Sequence, residues 1–490
     1  MRRYEMRDLA AAPRFANPDL GLANPAAVSP RPAVCDLTIL DTPDRRLLRA
    51  GIVLAHRAMD GEGEWLLAAP GWRPQLPAEY VEAMTSGEVP DAMLALLSPL
   101  LRHAPLAPAG TRHRVRSTYL VRNLDRESLG TVIDDHVTIR RDGQVLTQYR
   151  EVTIDTGTMT REQIAWADDV IRGVDGVQVD RQVPLPARLR ILADPDRAGG
   201  VDTFGVGPVE PAPADATMVD IVGRFIAEQA RDVLKADLNI RSGRTRKVQP
   251  LVRALRSFAN DLPVVAPVLA PETLDDLLAE VRWAADELDG TFGDDQQVIL
   301  TGDRYLGIFD RVAQLRRPPT AEGLGHGAAR EEIAGMVVVA TEEMLRVGRA
   351  APHSADDSGW REAARAAERL RAVAEIAVLL APKQAKRLRS RANDLLDGLT
   401  ACDNDELVEL RASLAGTSAE EAFGIGRRYA ALADNRADAR AEYVDHWAKD
   451  ARKLRAAGTD LLERLGVGIA LTEPIAEAGA HRAADEDGHV

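Results

Sequence analysis

The spacing of hydrophobic and polar residues changes along this chain and divides it into two parts. Between residues 33 and 155, apolar and polar residues alternate in short runs, which is the pattern of β-strands with one buried face. Asp142 and Gly143 separate the last two runs and predict a tight hairpin. From Val219 onward, apolar residues recur at steps of three and four, as in amphipathic helices. The pattern predicts a two-domain α+β protein, with an antiparallel sheet followed by an all-helical part.

Local signals refine this division. A strand at 112–123 carries alternating arginines, and helices are predicted at 90–103 and 160–174, the second opened by a Thr-x-x-Gln capping box. Residues 193–218 are rich in Pro, Gly, Ala and Asp without periodicity, which is typical of a linker. The resulting prediction is a sheet domain at 1–192, a linker at 193–218, a helical domain of roughly eight to ten helices at 219–460 and a C-terminal tail at 461–490.

Charge and composition narrow the possible functions. The 490-residue chain has a formal net charge of -14, so no membrane or specific nucleic-acid partner is expected, and any anion binding must come from local basic clusters. Cys35 and Cys402 are isolated, and no apolar leader or membrane span is present, which indicates a cytoplasmic protein. The sequence has no Walker A loop, Rossmann glycine fingerprint, HExxH motif or paired cysteines. It leaves the oligomeric state open.

Two basic stretches stand out in the helical part. Residues 237–258 and 360–371 align so that Arg246 superposes on Arg361, which suggests a duplicated helical unit. Pro250 breaks or starts a helix in the first stretch, which places the two arginines before it, Arg244 and Arg246, on a loop. On a helix beginning near Gln249, Arg253 and Arg256 share a face.

A stripe of arginines is predicted in the second stretch. Arg361, Arg365 and Arg369 are spaced by four residues, and Arg371 points elsewhere. A further basic run at 383–391 would extend this surface. Two interpretations remain open: the arginines of both stretches converge on one pocket for a polyanion, or they are solvated faces that balance nearby acids.

Four segments of the first part follow one another in a recognisable order: Asp41–Arg57 (DTPDRRLLRAGIVLAHR), Glu64–Gly71 (EWLLAAPG), Arg114–Val121 (RVRSTYLV) and Gly130–Asp155. Together they resemble the CYTH family of triphosphate-tunnel metalloenzymes. The resemblance implies an antiparallel barrel or tunnel in which acids hold Mg²⁺ or Mn²⁺ and basic residues grip a triphosphate. It assigns phosphate contacts to Arg57, Arg114 and Arg116, and metal ligands to Asp135, Glu151 and Asp155.

The chain departs from the CYTH pattern at its acids. Its first strand reads RRYEM without the two leading glutamates, and Glu5 falls one step beyond the motif. Thr153 stands where the family has another glutamate, and Ala55 and Ala68 replace basic residues. A hard cation needs several converging oxygen ligands, so Mg²⁺ or Mn²⁺ is expected only if the tunnel is active. The alternative is that the remaining charged residues lie on an exposed strand face.

Segments of the helical part, among them Val252–Phe258 (VRALRSF) and Glu368–Glu375 (ERLRAVAE), resemble the CHAD family over about residues 221–455. That resemblance implies a duplicated helical bundle associated with polyphosphate. The phosphate-binding residues it suggests are Arg246, Arg253, Arg256, Arg361, Arg365 and Arg369. The namesake histidines would fall near Arg246 and Arg361. Arginine keeps its charge at cellular pH, so phosphate binding would survive without a pH response.

The sequence suggests three functions, which are ranked by how well the residues present support each of them. The first is a binding protein that holds inorganic polyphosphate or a similar polyanion on the helical arginines, beside a catalytically degenerate tunnel. The second is a non-catalytic scaffold or regulatory protein. The third is a Mg²⁺- or Mn²⁺-dependent inorganic triphosphatase. Catalysis needs nearly every ligand in place, whereas polyanion binding tolerates substitutions among basic groups, so the sequence favours a protein that is not an enzyme.

Overall fold

The fold is described by a computed structural model that covers residues 1–85, 87–180, 183–190, 212–213, 215–266, 268–269, 271–314, 328–403, 406–413, 417–468 and 471. Strands fill its N-terminal part and helices its C-terminal part, which confirms the predicted α+β class. None of the described helices is both long enough and apolar enough to cross a lipid bilayer.

The strands form one antiparallel sheet. They are β1 (Arg2–Arg7), β2 (Ala26–Ala27), β3 (Ala33–Asp41), β4 (Val53–Met59), β5 (Glu62–Ala68), β6 (Glu79–Ala83), β7 (Ala107–Arg122), β8 (Ser128–Arg141), β9 (Gln144–Asp155) and β10 (Val177–Gln178). The hydrogen-bonded order is β10-β1-β9-β8-β7-β3-β4-β5-β6, and β2 pairs with β7. Within the described residues β10 and β6 are the ends of this order, so the pairing forms a continuous sheet rather than a closed ring of strands.

Local chemistry explains two of its connections. Asp142 and Gly143 have φ angles of 52° and 77°, which is the backbone conformation that a tight β8–β9 hairpin requires. Thr160 accepts a hydrogen bond from the backbone of Gln163, whose side chain bonds back to the backbone of Thr160. The predicted hairpin and the predicted capping box are both confirmed.

The described α-helices include the two predicted at 90–103 and 160–174. The described helices are α1 (Arg46–Arg49), α2 (Asp91–Leu101), α3 (Arg161–Arg172), α4 (Leu185–Arg188), α5 (Met218–Arg241), α6 (Gln249–Asp261), α7 (Pro271–Gly290), α8 (Asp294–Thr301), α9 (Asp303–Gln314), α10 (Ala329–Ala350), α11 (Ser358–Ala377), α12 (Pro382–Cys402), α13 (Glu406–Ala412) and α14 (Ala419–Leu465). Helix α6 begins at Gln249, one residue before Pro250, as the sequence indicated.

The chain groups into two compact units. Unit 1 comprises Met1–Pro208, Ala227–Leu255 and Glu280–Arg316, and unit 2 comprises Val209–Ile226, Arg256–Ala279 and Arg317–Val490. These units interleave along the chain, whereas the domains predicted from the sequence are contiguous. The predicted domain bounds therefore stay predictions, and most of the predicted linker lies outside the described residues.

In unit 1 the two faces of the sheet serve different purposes. One face packs on α3 through a cluster that includes Tyr4, Val152 and Ile171. The other, called the inner face here, carries a second apolar cluster that includes Leu37, Ile139 and Leu189. Successive residues of a strand point to opposite faces, so the residues between the α3-facing ones lie on the inner face.

A buried ion pair anchors the helices of unit 1. Arg241 donates from Nε to Asp237 at 2.6 Å, and their side chains are 3% and 0% exposed. Tyr305 donates to the other oxygen of Asp237 at 3.1 Å. Arg241 also donates to Ser98 Oγ at 2.7 Å and to the Leu300 carbonyl at 2.6 Å, so this one guanidinium ties together α5, α2 and α8.

Replacing Arg241 with Gln is expected to destabilise the protein by about 3–5 kcal/mol, because Asp237 would remain buried without its cation. Urea denaturation measures the effect as a fall in the unfolding midpoint. Arg244→Gln is the matched control, since Arg244 is exposed in the segment between α5 and α6 and its loss is expected to cost less than about 0.5 kcal/mol. Equal midpoints for the two variants would show that the buried pair does not stabilise unit 1.

Candidate functional site

Strand β7 places three arginines on the inner face of the sheet. Arg112, Arg114 and Arg116 alternate along the strand, and their partners directly opposite on β8 are Ile139, Val137 and Asp135. Directly opposed residues of an antiparallel pair project from the same face. The alternation seen in the sequence therefore becomes a row of guanidinium groups.

These side chains line a cavity of about 320 Å³ in unit 1, called the arginine pocket here. Its charged lining residues are Arg112, Arg114, Arg116, Asp135, Glu151 and Arg188. Helix α4 supplies Arg188, and Leu189, which follows it, is fully buried in the apolar cluster of the inner face. The carbonyl of Leu189 accepts a hydrogen bond from Arg141 at 2.9 Å, which helps to hold α4 against the sheet.

A row of three carboxylates crosses the inner face of the sheet, and two of them, Asp135 and Glu151, line the pocket. Glu5 on β1 lies opposite Glu151 on β9, and Glu151 lies opposite Asp135 on β8. Arg116 binds Asp135 with two hydrogen bonds of 2.7 Å, one to each oxygen, and Arg188 is bonded to Glu5. The two ends of the row are thus already paired with guanidinium groups.

Burial and neighbouring charges shift the pKa values in the pocket. Burial raises the pKa of Glu151, and the charge of Asp135 raises it further. Burial lowers the pKa of Arg114, as does the adjacent charge of Arg116. The pKa of Tyr149 rises to about 12 through burial, and its ring centre lies 3.9 Å from the Arg188 guanidinium carbon.

Three guanidinium donors in the pocket lack an acceptor within the described part of the chain. They are the Nε atoms of Arg112, Arg114 and Arg188, all of which are buried. Buried N–H groups are nearly always hydrogen-bonded in folded proteins, and each unsatisfied one is costly. An anion in the cavity would supply the missing acceptors.

The donor set does not fit a divalent cation. No group of three or more His, Cys, Asp or Glu side chains among the described residues is arranged to hold a metal ion. Asp135 is bonded to Arg116 through both of its oxygens. Asp155 lies on the same face as Glu151 but four residues along β9, about 13 Å away, and it is exposed. The structure therefore does not bring the three predicted metal ligands together.

Arg57 lies on the inner face but outside the pocket. Arg57 on β4 lies opposite Leu37 on β3, and Arg112 on β7 lies opposite the same leucine from the other side of β3. The Arg57 guanidinium is bonded to Glu64, and to Glu79 at 2.8 Å, so its charge is already balanced. Of the three predicted phosphate contacts, the structure brings Arg114 and Arg116 together and leaves Arg57 apart.

The predicted phosphate-binding arginines of the first basic stretch are exposed, but they do not all belong to a helix. Arg246 lies in the segment between α5 and α6, whereas Arg361, its partner in the sequence alignment, lies inside α11. Arg253 and Arg256 are exposed on α6. The loop suggested by Pro250 is confirmed.

In unit 2 a different arginine joins α6 to α11. Arg371 bonds to both oxygens of Asp261, and their side chains are 15% and 1% exposed. Arg369 lies roughly 200° around the helix from Arg371 and is bonded to Glu343 on α10. The predicted stripe Arg361–Arg365–Arg369 therefore does not face Asp261. The side of α11 that meets α6 is the one that carries Arg371.

The three arginines of the basic run on α12 are paired with acids. Arg387 bonds to Asp460 at 2.7 Å, Arg391 to Asp394 at 3.1 Å, and Arg389 to Glu375. These partners favour the solvated-face interpretation for this run. Within the stripe on α11, Arg365 donates to the Arg361 carbonyl at 3.4 Å.

Sequence reasoning missed one lining residue of the pocket and one acid bonded to it, and it undervalued a second lining residue. Arg188 lies on a four-residue helix with no pattern around it, so nothing in the sequence marked it. Glu5 was set aside as one step beyond the expected motif, but the register places it opposite Glu151. Arg112 was visible in the alternation of β7 but was not counted among the site residues.

Solved structures that resemble part of this chain include three proteins from different organisms. A candidate adenylate cyclase from Bacillus halodurans has 16% sequence identity, covers 32% of this chain and 82% of its own, and has a TM-score of 0.20. A Pyrococcus horikoshii protein has 14% identity, with coverages of 39% and 99% and a TM-score of 0.22. A candidate adenylate cyclase from Vibrio parahaemolyticus has 15% identity, coverages of 39% and 97%, and a TM-score of 0.20. TM-scores this low establish neither a family nor an activity.

No protein-family model matches the chain, and no curated protein matches it.

Replacing Glu151 with Gln is expected to raise the melting temperature at neutral pH, because burial penalises the charged carboxylate and not the neutral amide. The folded state raises the pKa of Glu151, so the folded wild type binds its proton more tightly than the unfolded chain. Wild-type stability therefore falls as pH rises from the ordinary value of 4.5 through the raised pKa. The variant escapes this loss, and its advantage shrinks as pH falls toward 4.5.

Differential scanning fluorimetry between pH 4.5 and 8 measures the effect. Glu62→Gln is the control, because Glu62 is an exposed glutamate of the same sheet. A stability difference for Glu151→Gln that does not change with pH would contradict the expectation.

Proposed function

We propose that the arginine pocket binds a small oligophosphate anion of the triphosphate class and does not hydrolyse it. The observation that carries this proposal is the set of three buried guanidinium donors, on Arg112, Arg114 and Arg188, that point to no acceptor among the described residues. The resemblance of the first part to triphosphate-tunnel proteins supports the same ligand class. The cavity of about 320 Å³ lies at the small end of ligand sites, which span roughly 300–1,000 Å³.

The charges of the pocket favour an anion centred on two of its arginines. Asp135 neutralises Arg116 and Glu5 neutralises Arg188, so Arg112 and Arg114 supply the uncompensated positive charge. Glu151 opposes them, but burial and the charge of Asp135 raise its pKa, and an incoming anion would raise that pKa further. Guanidinium groups match phosphate oxygens with paired N–H donors, which suits them to this ligand better than a point charge would.

Binding is proposed without hydrolysis because the acids of the pocket are otherwise engaged. Metal-assisted phosphate hydrolysis needs carboxylates that hold a cation and orient a water molecule. Here Asp135 and Glu5 accept hydrogen bonds from arginines, and Asp155 lies elsewhere on the strand.

The helical arginines remain a second candidate site, for a long polyanion. Arg361, Arg365 and Arg369 are exposed on one face of α11, and of the three only Arg369 is bonded to an acid among the contacts described. A flexible polyphosphate could bind such a surface through several weak charge contacts without a shaped pocket. This proposal is independent of the arginine pocket.

Arg114→Gln is expected to weaken the binding of inorganic triphosphate by roughly tenfold or more, since a hydrogen bond to a charged group contributes about 1.5–3 kcal/mol. Isothermal titration calorimetry at low salt measures the dissociation constant. Arg140→Gln is the matched control, because Arg140 is an exposed arginine of the same sheet outside the pocket, and it should leave the affinity unchanged. A wild-type protein that shows no binding of triphosphate would overturn the proposed function.

The double variant Arg361→Gln/Arg365→Gln is expected to weaken the binding of long-chain polyphosphate while leaving triphosphate binding unchanged. Counterion release makes the wild-type affinity fall steeply with salt, and the variant should show a shallower salt dependence. A gel mobility assay at two salt concentrations measures both effects. Arg387→Gln serves as the control because its charge is paired with Asp460. Polyphosphate binding that is identical in all three proteins would remove the stripe from consideration.

A further inference from the structure

Three acids of the inner face form a row across adjacent strands, called the carboxylate row here. Glu5, Glu151 and Asp135 come from three adjacent strands and lie directly opposite one another. The Cα atoms of such opposed residues are about 4.5–5.5 Å apart. A hard cation needs several oxygen ligands that converge on one point, and the described acids do not form such a group.

Arginines hold both ends of that row instead. Arg116 takes both oxygens of Asp135, with two bonds of 2.7 Å, and the Asp135 side chain is only 8% exposed. Arg188 donates a hydrogen bond to Glu5, and its guanidinium stacks over the ring of Tyr149, which fixes the direction of the Arg188 side chain. A cation could reach either carboxylate only by displacing a bonded guanidinium in a partly buried site.

We propose that Arg116 and Arg188 stand in place of a divalent metal, so that the pocket binds its phosphate ligand without any metal ion. Two guanidinium groups bring the same two positive charges to the carboxylate row that one divalent cation would. Each guanidinium has five N–H donors, so both keep donors for a phosphate after their carboxylates are satisfied. The phosphate half of this inference rests on the proposed function, whereas the metal half depends only on the ion pairs.

The replacement also explains why the pocket would bind rather than hydrolyse. A metal ion activates a coordinated water molecule by lowering its pKa. A guanidinium group has no open coordination position and keeps its own protons at cellular pH, so it supplies charge and direction but no nucleophile.

Titration with Mn²⁺, followed by the electron paramagnetic resonance signal of the free ion, tests the metal half without any phosphate. The wild type is expected to take up no Mn²⁺ that depends on Asp135. The variant Arg116→Gln/Arg188→Gln frees the carboxylates and is expected to gain Mn²⁺ binding, which a further Asp135→Asn substitution removes. Wild-type Mn²⁺ binding that is abolished by Asp135→Asn alone would overturn the inference.

Triphosphate titrations of the wild type alone keep the test decisive if the double variant fails to fold. We expect the same affinity, within about threefold, in EDTA and in excess Mg²⁺, equivalent to a difference of less than about 0.7 kcal/mol. Binding that appears only with Mg²⁺ would overturn the inference but leave the proposed function standing. Absence of triphosphate binding in both solutions would overturn the proposed function. The Mn²⁺ titration of the wild type would still decide whether Arg116 and Arg188 stand in place of a metal ion.

Discussion

The antiparallel register of β1, β9, β8 and β7 is the constraint on which the arginine pocket depends. Opposed residues share a face, so Glu5, Glu151, Asp135 and Arg116 form one continuous row across four strands. A slip of one residue in any of these pairings would turn that strand's charged side chains toward the face that packs on α3. The backbone hydrogen bonds and the apolar cluster containing Tyr4 therefore hold the charges in place.

Arginines that are bonded to acids stabilise the fold of this protein, whereas arginines with unsatisfied donors are candidates for binding a ligand. Buried or partly buried ion pairs recur in the described residues: Asp237 with Arg241, Asp261 with Arg371, and Asp134 with Arg150. In each of them the desolvated charges satisfy one another, and removing one partner would be costly. Arg112 and Arg114 differ because their buried Nε atoms find no acceptor in the described residues, which is the condition that a ligand can relieve.

The helical part shows why a count of basic residues cannot define a site. The run at 383–391 is rich in Lys and Arg, but three of its arginines are bonded to acids from α11, α12 and α14. Arg371 was set aside because it lies off the predicted stripe, but it makes the contact that joins α6 to α11 in unit 2. Helical spacing predicts which side chains share a face and gives no information on which neighbour that face meets.

The sequence by itself determined the local structure: the strands at 33–155, the Asp142–Gly143 hairpin, the Thr160 cap and the start of α6 near Pro250. These features depend on side-chain alternation, turn conformation and capping, which act between residues close together in the chain. Only the tertiary structure decided the site. Strand register aligned Glu5 with Glu151, although they lie far apart in sequence, and the packing of α4 brought Arg188 to the same pocket. Such contacts between distant residues leave no periodic signal, because each depends on where another part of the chain has folded.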